Sequence, residues 1–81
     1  MIDTELLTAN EKFRYAMLGR LQSDCEYYLN WGNKNVKCLW AGNIKDQITT
    51  MKLLYKTFSQ NKKPKWLTYK QIKEYEARME K

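Results

Sequence analysis

The stretch "LTANEKFRYAMLGRLQSDCEYYLN" constrains the fold more than any other part of this chain. Within it Met17, Leu18, Leu21, Cys25, Tyr28 and Leu29 recur at intervals of three and four, which gathers them on one face of a helix turning about 100° per residue. Thr8 and Glu11 stand ahead of that stripe in T-x-x-E spacing, which predicts an N-cap at Thr8. Gly19 lies inside the helix and costs it about 1 kcal/mol relative to alanine, marking close packing or a tolerated weakness. A face this long needs partners to cover it.

Two further amphipathic segments supply them. In "IKDQITTMKLLYKTF", Ile44, Ile48, Met51, Tyr55 and Phe58 form a stripe that Leu54 widens, and Asn43 is placed to cap the first turn. The following "SQNKKPK" is a loop whose proline bars continuation of the helix. In "WLTYKQI", Thr68 is the N-cap, Gln71 completes a T-x-x-Q box, and Leu67 and Ile72 are placed to form a hydrophobic staple. Ile72, Tyr75 and Met79 then make a buried stripe with Tyr69 at its edge. Between the first two helices, "WGNKNVKCLWAG" breaks the period with Gly32, Gly42 and asparagines that favour turns. Its Trp31, Val36, Leu39 and Trp40 carry enough apolar surface to fold back on the helices. The expected fold is all-α: a small three-helix domain with an aromatic-rich Gly/Asn connector between the first and second helices. The second helix should cover roughly residues 44 to 58 and the third 69 to about 79, with Trp40 and Trp66 packed at the ends of the core. Asn30 with Gly32 should reverse the chain, leaving Tyr27 off the core stripe.

The 81 residues make one domain, 1–81, with residues 1–7 expected to form a loose lead. A chain of this size buries only about 60 to 65% of its unfolded surface, so the core is thin. At 43% hydrophobic and 14% aromatic it is nevertheless too apolar for a disordered tail. No apolar run is long enough to span a bilayer, and the first residues carry acids where a signal peptide needs a basic and then an apolar segment. The expectation is a cytoplasmic protein without membrane contact, and in that reducing setting Cys25 and Cys38 read as free thiols.

Catalytic chemistry finds little to work with. There is no histidine to activate a thiol or complete a zinc site, so no metal and no cofactor is expected. Cys25, between Asp24 and Glu26 and on the apolar stripe, should have a raised pKa; Cys38, beside Lys37, is the better candidate for reactivity. Asp24 and Glu26 face different ways on a helix, while Glu74, Glu76 and Glu80 read as a solvated face. Three isolated glycines form no phosphate-cradling loop. The expectation is a non-enzymatic protein with no catalytic residue.

Charge is the feature that could bind. The net charge of +6 is unevenly spread: residues 1–26 hold five acids and three bases, whereas residues 34–73 hold ten lysines and one acid, Asp46. Clustered ammonium groups attract phosphates and release counterions. Lys45, Lys52 and Lys56 line up beside the apolar stripe of the second helix, and Lys62, Lys63 and Lys65 follow, giving a candidate surface for DNA or RNA. The block lacks arginine, which argues against reading of base sequence. Tyr27 and Trp31 are the aromatic candidates for partner contact. A basic surface for an acidic protein partner, or for solubility alone, remains open beside nucleic acid. A second copy of the chain is also a candidate partner, since surplus aromatics over a thin core can be covered by a dimer.

The ordered series "LQSDCEYYLNWGN", "LWAGN", "DQITTMKLLY" and "KPKWLTYKQIKEYEARM" resembles a large polyvalent protein-associated domain, the type with D-C-x-Y-Y-L, L-W-A-G and W-L-T motifs. The resemblance runs over residues 18 to 79. It departs at Asn30, where the family pattern has glycine, and asparagine also tolerates left-handed geometry. Domains of this kind are carried by phages, plasmids and conjugative elements, in multidomain effectors or as small stand-alone proteins. The resemblance therefore implies an accessory role in a mobile element, acting in the host cell. That role is either to counter a host defence protein or nuclease complex, of the restriction or CRISPR type, by stoichiometric binding, or to manage the element's own DNA.

Overall fold

The computed structural model describes residues 7–80. Helix α1 spans Glu11–Asn30, a single 3-10 turn Val36–Cys38, helix α2 Ile44–Lys56 and helix α3 Tyr69–Met79, with no strand among the described residues. Of the lead expected over residues 1–7, all but Leu7 lies outside the described residues, and Leu7 packs against the core.

Helix α1 begins later than the T-x-x-E spacing predicts. Its cap is Asn10, not Thr8: the Asn10 side chain accepts from the Phe13 amide at 2.8 Å while its own backbone stays extended. Asparagine directly before the first helical residue reaches that amide as well as threonine does, so the nearer residue takes the role. Glu11 becomes the first helical residue, where a carboxylate suits the positive end of the helix dipole. The other two caps are as expected. Asn43 accepts from the Asp46 amide, and Thr68 and Gln71 satisfy each other's backbone amides in a full capping box. Leu67 and Ile72, the staple pair, are both buried.

All three pairs of helices touch, and the stripes meet on one core. Leu18, Leu21 and Cys25 of α1 lie against Ile48, Met51 and Leu54 of α2 and Ile72 and Met79 of α3, all with almost no exposed surface. Each such Leu or Ile contributes about 1.5–3 kcal/mol by its burial. Two polar side chains lie in this core as well, Gln47 and Thr50, which the apolar pattern did not anticipate. Helix α2 ends at Lys56, two residues short of expectation, because Thr57 closes it: its amide donates to Leu53 and Leu54 and its hydroxyl to Leu54. Lys63 then donates to the carbonyls of Tyr55 and Phe58, completing a lysine cap on the last turn.

The tryptophans are not the core ends that the sequence suggests. Trp40 and Trp66 remain 39% and 42% exposed, and their leucine neighbours, Leu39 and Leu67, are the buried residues. Leu39 has extended backbone, so it and Trp40 project to opposite sides, and the smaller, wholly apolar side chain is the one turned inward. Trp66 instead stacks edge-on against Tyr15, with its ring 3.6 Å from where a Cβ on Gly19 would sit. That spacing is ordinary contact, so Gly19 is a tolerated weakness rather than a point of tight packing.

Candidate functional site

The lysine block does not form one free surface. Lys52 is half-buried and pairs with Glu76 across α2 and α3 at 3.0 Å. Lys62 reaches Glu11 at 3.3 Å, and Lys63 is the α2 cap, with its ammonium also 4.6 Å from the centre of the Tyr55 ring. Lys56 sits 5.4 Å over Tyr69, whose ring lies 6.0 Å from Tyr55. Lys63, Tyr55, Tyr69 and Lys56 thus make a continuous row along the seam of α2 and α3. Cation–aromatic contacts of this kind are worth about 0.5–1 kcal/mol at exposed sites, so the row helps hold the seam together. Lys45 and Lys65 remain exposed. Of the six lysines named from the sequence, these two and Lys56 form no ion pair or carbonyl hydrogen bond among the described residues.

The exposed aromatic surface gathers elsewhere, at the exit of α1. Six large apolar side chains are exposed among the described residues, and four of them, Tyr27, Trp31, Val36 and Trp40, fall between residues 27 and 40. Trp31 is 76% exposed and Tyr27, one helical turn before it, 52%. The connector was expected to fold back through Trp31, Val36, Leu39 and Trp40. Only Leu39 does so fully, because the helix exit is closed by its own backbone and needs no aromatic plug. The amides of Trp31 and Gly32 both donate to the Tyr27 carbonyl, and the Lys34 amide to that of Tyr28.

The reversal itself is made at Asn33 and Lys34, with φ of 52° and 58°, and not at Asn30 and Gly32. Asn30 is still helical. Gly32 is required for a different reason: a Cβ there would come within 2.8 Å of the Cys38 sulfur and 3.2 Å of the Tyr27 ring. Glycine lets the sulfur of Cys38 close against the turn and brings residues 27, 32 and 38 together. The left-handed conformation is uncommon for a lysine and is held here by the surrounding hydrogen bonds.

Beneath this exit the frame is polar and fully paired. Buried Gln47 accepts from the Ala41 amide at 3.0 Å and donates to the Leu21 carbonyl at 3.2 Å, tying the connector to α1 and α2 at once. Asp24 accepts from the Trp40 amide at 3.1 Å, and Asn35 caps the 3-10 turn through the Lys37 amide. Sequence reasoning missed Gln47, although its place one turn from Ile44 and Met51 put it on the apolar stripe. Asp24 was weighed as a catalytic acid and as a charge beside Cys25, and its structural role depends on a residue sixteen positions away.

The two thiols differ as their positions suggest. Cys25 is buried, its thiol donating toward the Met51 sulfur, and desolvation pushes its pKa up to about 12, with Asp24 and Glu26 adding to the rise against a hydrogen bond from Gln47. Cys38 is partly exposed and unpaired with Cys25. On the α1–α3 side, Tyr75 donates to Glu26 and accepts from Gln22, and burial raises its pKa. No cluster of three or more His, Cys, Asp or Glu side chains that could hold a metal ion occurs among the described residues. None of the described helices is long and apolar enough to cross a membrane.

No curated protein and no solved structure gives a significant match to this chain. A sequence family does: the profile of large polyvalent protein-associated domain 11 matches residues 11–79, which takes in α1, α2 and α3, both connectors and the exposed exit of α1. The chain therefore belongs to the large polyvalent protein-associated domain 11 family, a family associated with polyvalent proteins of mobile elements.

Proposed function

We propose that this chain is a non-enzymatic accessory module of a mobile genetic element that counters a nuclease-based host defence, in the host cytoplasm, by stoichiometric binding. The observation that carries this reading is the placement of Tyr27, in the last turn of α1, and Trp31, at its C-cap, exposed to solvent in a domain too small to waste aromatic area. Exposed aromatic side chains on a preformed backbone are what binding surfaces are made of, since they give contact area with little entropy to lose. Membership in a family of mobile-element proteins supplies the biological setting. The chemistry of the buried groups supports the same reading, because Cys25 keeps its proton at neutral pH and acts as packing.

The test is expression in cells carrying a panel of restriction and CRISPR systems, challenged with phage or plasmid DNA. Wild-type chain should relieve at least one system in proportion to its dose and co-purify with that system's nuclease complex at fixed stoichiometry. Trp31→Ala should fold normally and lose both effects. Unchanged defence across the whole panel would defeat the proposal.

A further inference from the structure

We infer that the α1 exit is a binding site for single-stranded nucleic acid, in which bases stack on Trp31 and Tyr27 while Lys34 and Lys37 hold the phosphates. This goes beyond the counter-defence reading by assigning the ligand class of the same face.

The argument rests on charge and shape together. From Tyr27 to Asn43 the chain holds Lys34 and Lys37 and no acid. The two acids just before it are engaged with the protein itself, Asp24 by the Trp40 amide and Glu26 by the Tyr75 hydroxyl. Lys34 and Lys37 are exposed, and among the described residues neither takes an acidic partner. The turn itself is therefore aromatic and cationic, while the carboxylates of Asp24 and Glu26 keep their charge on the helix before it, and it complements a polymer that offers flat bases and negative phosphates in alternation. Lys34 owes its place to the left-handed backbone at φ 58°, which sets it on the turn directly after Trp31.

The geometry favours a single strand over a duplex. Tyr27 and Trp31 are one helical turn apart, about 6 Å along the axis. Side chains so placed can meet unstacked bases, whereas the bases of a duplex are already stacked on each other. No arginine occurs between Arg20 and Arg78, so the arginine fork that commonly reads guanine in a groove is missing. Recognition should be tolerant of sequence and sensitive to salt. The lysines of the α2–α3 seam are a poorer site for such a ligand, because Lys52 and Lys63 already have partners.

The experiment titrates the full chain with a fluorescein-labelled 20-nucleotide oligo(dT) at low salt, by anisotropy and by quenching of tryptophan fluorescence. Wild type should bind with quenching. Trp31→Phe should bind but quench less, and Trp31→Leu, which keeps apolar bulk without a ring, should bind about tenfold more weakly or worse. The double variant Lys34→Ala/Lys37→Ala should flatten the slope of log affinity against log salt by about 1.4, two phosphates at about 0.7 each. Circular dichroism confirms that each variant is folded. Absence of oligo(dT) binding by folded wild type overturns the inference. So does binding lost with Lys45→Ala/Lys56→Ala but kept in Trp31→Leu, which would place the ligand on α2. If oligo(dT) fails to bind while defence is still relieved in a Trp31-dependent manner, the face takes protein and the counter-defence proposal stands alone. If oligo(dT) binds but no defence is relieved, the inference stands and that proposal falls.

Discussion

Two connectors of nearly equal length join the three helices, and they are held to them to different degrees. Residues 57–68, between α2 and α3, are tied to α1 at several points. Arg14 donates to the Thr57 carbonyl and covers the Phe58 ring, the Tyr15 hydroxyl donates to the Lys62 carbonyl, and Gln22 donates to that of Trp66. Pro64 and Leu67 are buried beneath. Residues 31–43, between α1 and α2, are anchored at fewer places, by Leu39, by the Trp40 amide on Asp24 and by the Ala41 amide on Gln47. The rest of that segment closes on itself and presents its aromatic and cationic side chains outward. The second connector buries Phe58 and has the backbone of its half-exposed Trp66 tied down by Gln22, whereas the first leaves Trp31 76% exposed, so the contrast lies at Trp31.

The comparison can be broken by substitution. Leu67→Ala and Leu39→Ala should be the costliest changes, each about 2–5 kcal/mol in denaturant unfolding, because each removes a connector's buried anchor. Costs below about 1 kcal/mol at Leu39 would mean that the first connector is held some other way. Gln47→Ala removes the side-chain donor to the Leu21 carbonyl and leaves the Ala41 amide without its acceptor, and should cost about 1–3 kcal/mol. The same change should speed hydrogen exchange in residues 31–43 well before it does so in 57–68.

A pH series sharpens the contrast between buried and exposed thiols. The folded chain holds the Cys25 proton more tightly than the unfolded chain, whose thiol has its ordinary value of 9.0. Stability should therefore be intact below about pH 9 and decline as pH rises toward about 12, by up to about 1.4 kcal/mol per unit from this group. In Cys25→Ala that contribution to the slope should vanish. At pH 8, iodoacetamide should modify Cys38 first, and equal labelling rates would contradict the burial of Cys25. Thr68→Ala should cost about 1 kcal/mol by loss of the capping box. Trp31→Ala should be the smallest change in stability, within about 0.5 kcal/mol, although its effect on binding is predicted to be the largest.

The three helices were legible because their information is local. A stripe at intervals of three and four, a cap residue and a proline are properties of neighbours in the chain, and α3 appears at the residues that Thr68, Gln71 and the staple pair indicate. The start of α1 was misread where two capping residues, Thr8 and Asn10, competed within one turn. The candidate site was legible in part. Tyr27 stands outside the core stripe by its position alone, but Trp31 and Trp40 have the composition of core residues, and nothing local says that Leu39 will take the buried place.

What the sequence determined by itself was the number of helices, their apolar faces, two of the three caps, the inert environment of Cys25 and an excess of lysine in the middle of the chain. Only the tertiary structure decided which of those lysines stay free, because Glu76, Glu11 and the α2 carbonyls that occupy Lys52, Lys62 and Lys63 are brought to them by packing. It also decided which aromatics face water. With a core this thin, only a few side chains can be enclosed, and competition among residues distant in sequence settles which are left outside.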